Sequence, residues 1–266
     1  MVEIVILLSN GQDFVPAHKS QLRIILEVAK SMSMGKVFAV GVGPGSPKYV
    51  TDVVKEIVKN SDIVIGYKYT LKTIEQLIAG KEVYEITMQD QEEAYQKVSK
   101  NIGNRTCVVP FTGDVNFSES EVVDRLIEIF GDVEIVPGIS SIQVAAAKAK
   151  VPLDKSRVIT MHVSTSIEEK KIELQKALTD GFSVVLVPRP WPKEPSKHFM
   201  QSEIAIYLKK HGFDTSKIKV HVFEFLTTDK ETHFIGTVKD LEGRQFSDLS
   251  VMVFDQAKLE SYINLK

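Results

Sequence analysis

The sequence predicts an α/β protein of two domains, with a parallel sheet in the first domain and a mixed sheet in the second. The chain has 266 residues, 43% of them hydrophobic and 26% charged, which supplies enough apolar material for a sizeable core. From Lys36 onward, short apolar runs alternate with amphipathic segments of helical period, as in a parallel sheet covered by helices. Most runs are continuously apolar, which is typical of strands buried on both faces.

The first domain is predicted over residues 36–149. Five apolar or β-branched runs predict its strands, at Val37–Val40, Ile63–Ile65, Glu82–Ile86, Thr106–Pro110 and Val133–Val136. The segments between and after them place apolar residues on one helical face. These segments predict helices at Tyr49–Asn60, Leu71–Ala79, Glu92–Lys100, Glu119–Phe130 and Ile142–Ala149.

A junction at Lys150–Asp154 leads into the second domain, predicted over residues 152–266. Its strands are predicted at Arg157–Met161, Ser183–Leu186, Lys219–Glu224 and Ser250–Phe254, and its helices at Ile167–Thr179 and Gln201–His211. Glu231–Thr237 is interpreted as an added strand, which would make the second sheet mixed.

Residues 1–33 form an N-terminal extension of unknown role, with a predicted strand at Glu3–Leu8 and a helix at about Ala17–Ser31. Glu3 interrupts the first apolar run and no basic leader precedes it, which argues against a signal peptide. Met32 and Met34 follow the helix, so the sequence leaves open whether the biological start lies at one of them.

Composition argues against several classes of protein. The 33 Lys+Arg and 35 Asp+Glu give a net charge of −2, which argues against a dedicated nucleic-acid binder. The apolar runs are far shorter than the ~20 residues that cross a bilayer. The single Cys107 excludes a disulfide scaffold, fits a reducing cytosol, and is interpreted as a buried structural thiol. The histidines show no metal-ligand spacing, so no metal site is expected.

The loop after the first strand of the parallel sheet predicts a ligand site, because open parallel sheets bind ligands at the carboxyl ends of their strands. It reads Gly41-Val42-Gly43-Pro44-Gly45, and its three glycines allow a tight turn and close approach of a ligand. Ser46 stands where the dinucleotide fingerprint needs glycine, and Pro44 lacks an N–H for a pyrophosphate. The loop therefore favours a ligand with little phosphate.

Two further loops follow strands of the same predicted sheet. In the first, Gly113 allows a bend and Asp114 offers a carboxylate, which suits a ribose diol or an ammonium group. Asp114 could instead cap the next helix, although Ser118 is the more natural cap. In the second, Ser140 or Ser141 can cap a helix whose free N–H groups face a ligand.

Together and in this order, the loops resemble the tetrapyrrole methylase family, over about Lys36 to the C-terminus. The resemblance lies in Val40–Pro47 with Thr51, in Gly113–Asp114 and in Val136–Ser141. It implies two α/β domains with a cleft between them, and a methyltransferase that uses S-adenosyl-L-methionine (SAM) and releases S-adenosyl-L-homocysteine. The cofactor contacts that it implies are Gly41, Val42, Gly43, Pro44, Gly45, Gly113, Asp114, Phe117, Ser140 and Ser141.

Within the family, the short spacing and the stretch Ile139–Gln143 resemble the cobalamin-pathway methylases that act on carbon 5 of cobalt-precorrin-7 or precorrin-6Y. The resemblance implies a small tetrapyrrole substrate, a homodimer and a cytoplasmic location. A separate methylase and decarboxylase would act at carbon 15, because only one methylase unit fits the chain. In one departure, Val115-Asn116 stands where the family usually has Pro-Gly, which bears on the substrate more than on the cofactor.

Methyl transfer to a ring carbon depends on held geometry more than on an acid, so no catalytic triad is expected. His162, at the end of a second-domain strand, is the one candidate for proton transfer, and a merely packed or solvated histidine is the alternative. Arg189, Trp191 and Lys193 flank a proline-rich segment and are predicted to contact the carboxylates and ring face of a macrocycle. An exposed charged loop is the alternative there.

Other functions fit parts of the sequence. Diphthine synthase and ribosomal-RNA methylases share the SAM loops, so only the substrate cleft separates them from a corrin methylase. A nicotinamide-dependent oxidoreductase is favoured by the glycine-rich first loop alone, and a non-catalytic SAM-binding protein would keep all three loops. Binding of NAD without binding of S-adenosylhomocysteine would select the oxidoreductase.

Overall fold

A computed structural model describes residues 35–117, 119–163, 166–189 and 200–256. The predicted extension at residues 1–33, with its strand and helix, lies outside these ranges. Within them, ten strands form two five-stranded sheets, which confirms the α/β class. None of the helices described is long and apolar enough to cross a membrane.

The first sheet is parallel throughout, as predicted. Its spatial order is β3-β2-β4-β1-β5, so the chain crosses over between strands that are not neighbours in sequence. The strands are β1 (Val37–Gly41), β2 (Ile63–Tyr67), β3 (Glu82–Ile86), β4 (Cys107–Phe111) and β5 (Val133–Val136).

Four helices pack on the two faces of this sheet, α1 (Asp52–Asn60), α2 (Lys68–Thr73), α3 (Gln91–Asn101) and α4 (Ser120–Phe130). Strand β4 is buried on both faces, because Cys107 and Val109 enter one hydrophobic cluster and Val108 enters another. The expectation of a buried Cys107 is confirmed, and burial raises the pKa of its thiol to about 12.

Two predicted helices differ from the structure at their ends. The helix predicted from Tyr49 begins only at Asp52, because the Thr51 hydroxyl caps it by accepting from the Val54 N–H at 3.4 Å. The helix predicted at Leu71–Ala79 is instead α2 followed by a 3₁₀ turn at Glu75–Leu77. The Thr73 hydroxyl lies 3.1 Å from the Tyr69 carbonyl oxygen, and such side-chain bonding competes with a continuous helix.

The second sheet is mixed, as predicted, with the order β6-β7-β10-β8-β9. Only β6 and β7 are parallel, and the other neighbours are antiparallel. Its strands are β6 (Ser156–Thr160), β7 (Ser183–Val187), β8 (Lys219–Glu224), β9 (Thr232–Thr237) and β10 (Ser250–Asp255). The helices α6 (Glu168–Thr179) and α7 (Met200–Lys210) pack on one face.

The other face of the second sheet is covered by α5 (Ser141–Ala149), which follows the last strand of the first sheet. Ala145 and Ala146 pack there with Val185, Phe223 and Val253. The predicted division at residues 149–152 follows chain order, whereas packing assigns α5 to the second sheet. The helix α5 therefore joins the two halves, since it follows β5 of the first sheet and packs on the second.

Candidate active site

Three turns meet at the carboxyl edge of the first sheet. The strands β1, β4 and β5 are neighbours and parallel, so their carboxyl ends lie together. The turn after β1 pairs with the turn after β4, because Gly43 N–H donates to the Gly113 oxygen at 3.2 Å and Gly113 N–H donates to the Gly43 oxygen at 2.7 Å. The predicted convergence of the first two loops is thus a feature of the backbone.

The third turn joins them through contacts that only glycine allows. A Cβ placed on Gly41 would lie 2.6 Å from both the Gly113 oxygen and the Gly138 nitrogen. A Cβ on Gly138 would overlap the carbonyl oxygens of Gly41 and Gly113. Gly41 and Gly138 therefore permit close approach of three backbone segments, and their role here is to shape the site.

A cavity of about 1080 Å³ opens between the two sheets. Its volume is slightly above the usual range for small-molecule sites, roughly 300–1,000 Å³. The first sheet contributes the loops after β1 and β4, the segment from Tyr67 to Leu77, and the start of α5. The second sheet contributes the loop Phe225–Lys230 and the start of β10.

Asp114 lies in the cavity wall and does not cap α4, which begins six residues later. One of its carboxylate oxygens accepts the Asn116 N–H at 3.1 Å, so the carboxylate folds the turn locally. Val115 is buried in the core beneath the turn. At the two positions where Pro-Gly is usual in the family, Val115 therefore fills the core and the backbone N–H of Asn116 closes the turn. Ser118, the predicted cap of α4, lies outside the described residues.

Two serines at the start of α5 have different roles. The Ser140 hydroxyl accepts the Ile142 N–H at 3.2 Å, and Gln143 reaches back to the Ser140 N–H at 2.9 Å, which completes a capping box. The prediction that one serine caps the helix is therefore confirmed for Ser140. Ser141, the first helical residue, also lines the cavity.

The family is identified by a sequence comparison. The family model of tetrapyrrole (corrin/porphyrin) methylases matches residues 36–242. The chain belongs to this family. The match spans the first sheet, all three turns and four of the five strands of the second sheet, so the resemblance predicted from the three loops is confirmed.

Several curated relatives of this tetrapyrrole methylase are methyltransferases named for cobalt-precorrin or cobalt-factor substrates. The probable cobalt-precorrin-7 C(5)-methyltransferase of Methanocaldococcus jannaschii is 30% identical over 225 residues, which cover 82% of this chain and 97% of that protein. The cobalt-factor III methyltransferase of Priestia megaterium is 24% identical over 87% of this chain, and the match takes up 44% of that protein's length. The prediction of a SAM-dependent methyltransferase homologous to cobalamin-pathway methylases is confirmed.

Solved structures of methylases share the fold. The methyltransferase CobJ superposes with a TM-score of 0.67 at 18% identity, over 84% of this chain and 95% of that one. The precorrin-6Y methylase (CbiE) of Archaeoglobus fulgidus gives a TM-score of 0.61 at 20% identity, over 85% of this chain and all of that one. Diphthine synthase gives 0.60 at 15% identity, over 82% and 89% of the two chains. At these identities the likeness concerns the fold alone.

The predicted cofactor residues of the methylase occupy two layers. Those that line the cavity are Pro44, Gly45, Gly113, Asp114, Phe117, Ser140 and Ser141. Gly41, Val42 and Gly43 lie behind them, with Val42 only 1% exposed. Cofactor contact stays a prediction for both sets, and the observed role of the second set is to form the turns.

The structure describes two of the four residues predicted to act in substrate binding or proton transfer. His162 lines the cavity, and its pKa is lowered by burial and by the nearby charge of Arg189. Arg189 itself is not part of the cavity wall, since its guanidinium donates to the Val163 carbonyl oxygen at 2.8 Å. Trp191 and Lys193 lie outside the described residues, so their substrate contacts stay predictions.

Sequence reasoning expected the second domain to border the cleft but did not identify the loop that it contributes to the cavity, Phe225–Lys230. The Thr227 hydroxyl accepts the Ser46 N–H at 3.0 Å and so joins the loop after β8 to the glycine-rich loop after β1. Thr227 and Phe225 have positive φ angles of 68° and 49°. Glu231 stabilises this conformation by accepting the Thr227 N–H at 2.6 Å and by pairing with Lys148 of α5 at 2.5 Å. The only signal in the sequence is a cluster of turn-forming residues after a strand.

Glu119 was also missed, because a glutamate at the start of a helix is read as a favourable N-terminal charge. Its side chain lines the cavity, on the same wall as Tyr67. Burial raises the pKa of the Glu119 carboxyl to about 7. It also raises the pKa of Tyr67 to about 12, and the negative charge of Glu119 adds to that shift.

Proposed function

We propose that this methylase transfers the methyl group of SAM to carbon 5 of a cobalt-precorrin, in the cobalt-precorrin-7 or precorrin-6Y step of cobalamin biosynthesis. The observation that carries the proposal is the 30% identity to the Methanocaldococcus jannaschii enzyme over 97% of that protein's length. The cavity supports it, because its volume leaves room for a macrocycle beside a cofactor.

The residues at the cavity wall fit SAM. A Cβ on Gly113 would lie 3.5 Å from the Ser141 nitrogen, so the missing side chain leaves space beside the N-terminus of α5. The N–H groups at a helix start suit the carboxylate of the methionine part. Asp114 is the one predicted contact with a negative charge, and it suits the ribose hydroxyls. Pro44 and the absence of a phosphate-binding motif fit a cofactor without phosphate.

The chemistry that SAM supplies when bound is an electrophilic methyl group on a sulfonium, which a ring carbon displaces in line. The chain's part is to hold the two reactants at attack distance, which can contribute about 7–11 kcal/mol to lowering the barrier. The two turns at Gly45 and Gly113 and the loop at Thr227 are tied together by backbone and hydroxyl hydrogen bonds. A wall built in this way is rigid and suits a reaction that depends on orientation.

Family resemblance also supports the finer features of the proposal. We infer a homodimer in the cytoplasm, and a separate enzyme for methylation and decarboxylation at carbon 15. Substrate contacts of Arg189, Trp191 and Lys193 belong to the same proposal. Sedimentation equilibrium of the purified protein tests the dimer, and a mass consistent with one chain would contradict it.

The test of the function combines cofactor binding with product analysis. Calorimetry should show binding of S-adenosylhomocysteine and none of NAD, and NAD binding alone would overturn the assignment. Incubation with SAM carrying a ¹³C-methyl group and cobalt-precorrin-7 should give one new methyl signal, assigned to carbon 5 by NMR. Elongation factor and ribosomal RNA serve as alternative acceptors. Methyl transfer to either would instead assign the chain to the diphthine synthases or the ribosomal-RNA methylases.

A further inference from the structure

Glu119 stands apart from the other carboxylates of the cavity wall. It lies immediately before α4, after the turn that holds Asp114 and Phe117, and its side chain is half-buried in the wall. Among the described residues, no cation pairs with its carboxylate and no group hydrogen-bonds to it. Asp114, by contrast, is occupied by its bond to Asn116.

The titratable groups around Glu119 leave its charge uncompensated. Tyr67 of β2 is half-buried and Tyr95 of α3 is buried, and the charge of Glu119 contributes to the raised pKa of each. Arg125 of α4 lies 3.7 Å from Glu92, to which it is paired. The charge of Glu121 acts to raise the pKa of His162, and burial is the one cause of the raised pKa of Glu119. The pKa of Glu119 is therefore set by burial alone.

Carbon methylation releases a proton that needs an acceptor. The ring carbon forms the new C–C bond with a π electron pair, and the sulfur keeps the pair of the broken C–S bond. The macrocycle thereby gains a positive charge, which it loses by releasing a proton. A base whose pKa lies near the working pH is best suited to take that proton and to return it to water.

We propose that Glu119 is the base that accepts the proton released by the macrocycle during methyl transfer. The inference rests on the proposed function. Glu119 is the one carboxylate of the described cavity wall that is both half-buried and without a hydrogen-bond or ion-pair partner, among Glu75, Asp114, Glu119, Asp229 and Asp248. His162 is the other candidate, and burial and the charge of Arg189 lower its pKa, which makes its imidazole a weaker proton acceptor.

The test compares Glu119→Gln with Glu119→Asp and with Glu128→Gln, which removes an exposed carboxylate from the same helix. Single-turnover methyl transfer is measured from about pH 5.5 to 9, with calorimetry of S-adenosylhomocysteine binding for each variant. We expect the wild-type rate to rise with pH and level off above about pH 7. The rate of Glu119→Gln should be about 10²- to 10⁴-fold lower and should no longer rise with pH as Glu119 ionises. The affinity of this variant for S-adenosylhomocysteine should be unchanged.

The controls separate the possible failures. Glu119→Asp keeps a carboxylate and should retain a rising pH profile, whereas Glu128→Gln should behave as the wild type. A Glu119→Gln rate within about threefold of the wild type, or an unchanged pH profile in that variant, overturns the inference and leaves the methylase assignment intact. If the wild type transfers no methyl group to any corrin precursor, the proposed function falls and the base assignment with it.

Discussion

The two halves of the cavity wall are built by different means. On the first sheet, the wall is formed by backbone, where Gly41, Gly113 and Gly138 bring three parallel strand ends into contact. On the second sheet, it is formed by side chains, where Thr227 and Glu231 hold a loop with positive φ angles against Ser46. Close backbone contacts require glycine at particular positions, whereas several residue types can form side-chain contacts. This difference decides which half of the cavity wall can be predicted from the sequence.

Gly138→Ala should have the largest effect, because it forces a side chain into the backbone of two other turns. We expect it to lower the free energy of unfolding by more than about 3 kcal/mol, within the range of severe single substitutions. Urea denaturation of the purified variant measures this. Failure of the variant to accumulate as folded protein would agree with the same prediction.

The control for that variant is Gly103→Ala. Gly103 has a φ of 57° and open space around its Cα, so alanine there meets only conformational strain. The expected loss is about 1–2 kcal/mol. If Gly103→Ala destabilises the protein as much as Gly138→Ala, close backbone approach is not what the glycines of the three turns provide.

Glu119→Gln should stabilise the protein in a pH-dependent way. The carboxyl has a raised pKa of about 7 when folded and an ordinary one near 4.5 when unfolded. The folded state therefore binds more protons between these values, and stability falls as the pH rises through that window. Glutamine removes this loss. The free energy of unfolding of the variant should therefore exceed that of the wild type by on the order of 1–3 kcal/mol above about pH 7, and the two should be equal near pH 4.

Thermal or urea unfolding at both pH values measures the difference. Glu128→Gln is the control, since its carboxylate is exposed. A Glu119→Gln variant that is less stable than the wild type at high pH would mean that the carboxylate has a stabilising partner. That result would remove the reason for its raised pKa.

Much of the fold and one half of the site could be predicted. Continuous apolar runs separated by helical segments specify a buried parallel sheet, and the glycines at 41, 43, 45, 113 and 138 mark its ligand edge. Helix ends were less accurate, since Thr51 and Thr73 bond to nearby backbone and interrupt the apolar period. These hydroxyl hydrogen bonds to nearby backbone are hard to predict from the sequence, yet in the structure they shift the ends of helices.

The other features of the fold and the site could not be predicted from the sequence, because they depend on which surfaces pack together. The apolar stripe of α5 predicts a buried helix but does not say that it packs on the second sheet. The hydrogen bond from the Arg189 guanidinium to the Val163 carbonyl oxygen likewise depends on which segments meet, and the substrate contact of Arg189 stays a prediction. Glu119 follows the common pattern of an acidic helix start, and only the cavity reveals it as a half-buried carboxylate.

Asp114→Asn tests the only charged contact predicted on the first-sheet half. Asparagine keeps the side-chain oxygen that accepts the Asn116 N–H, so the turn should persist while the negative charge is lost. We expect about a tenfold weaker affinity for S-adenosylhomocysteine by calorimetry, with unfolding stability nearly unchanged. Asp132→Asn, at an exposed position, is the matched control. Unchanged affinity in Asp114→Asn would show that the carboxylate serves the turn alone.

Thr227→Val tests the side-chain half and should have the smallest effect. Valine has the shape of threonine and the same strain at a φ of 68°, but it cannot accept the Ser46 N–H. Loss of one partly buried hydrogen bond costs about 0.5–1.5 kcal/mol, because the Ser46 donor is left without a protein partner. The affinity for S-adenosylhomocysteine should fall less than tenfold, and Thr179→Val, at an exposed site on α6, should leave it unchanged. A loss in Thr227→Val that exceeds the effect of Asp114→Asn would reverse the comparison and make the second sheet the dominant part of the cofactor site.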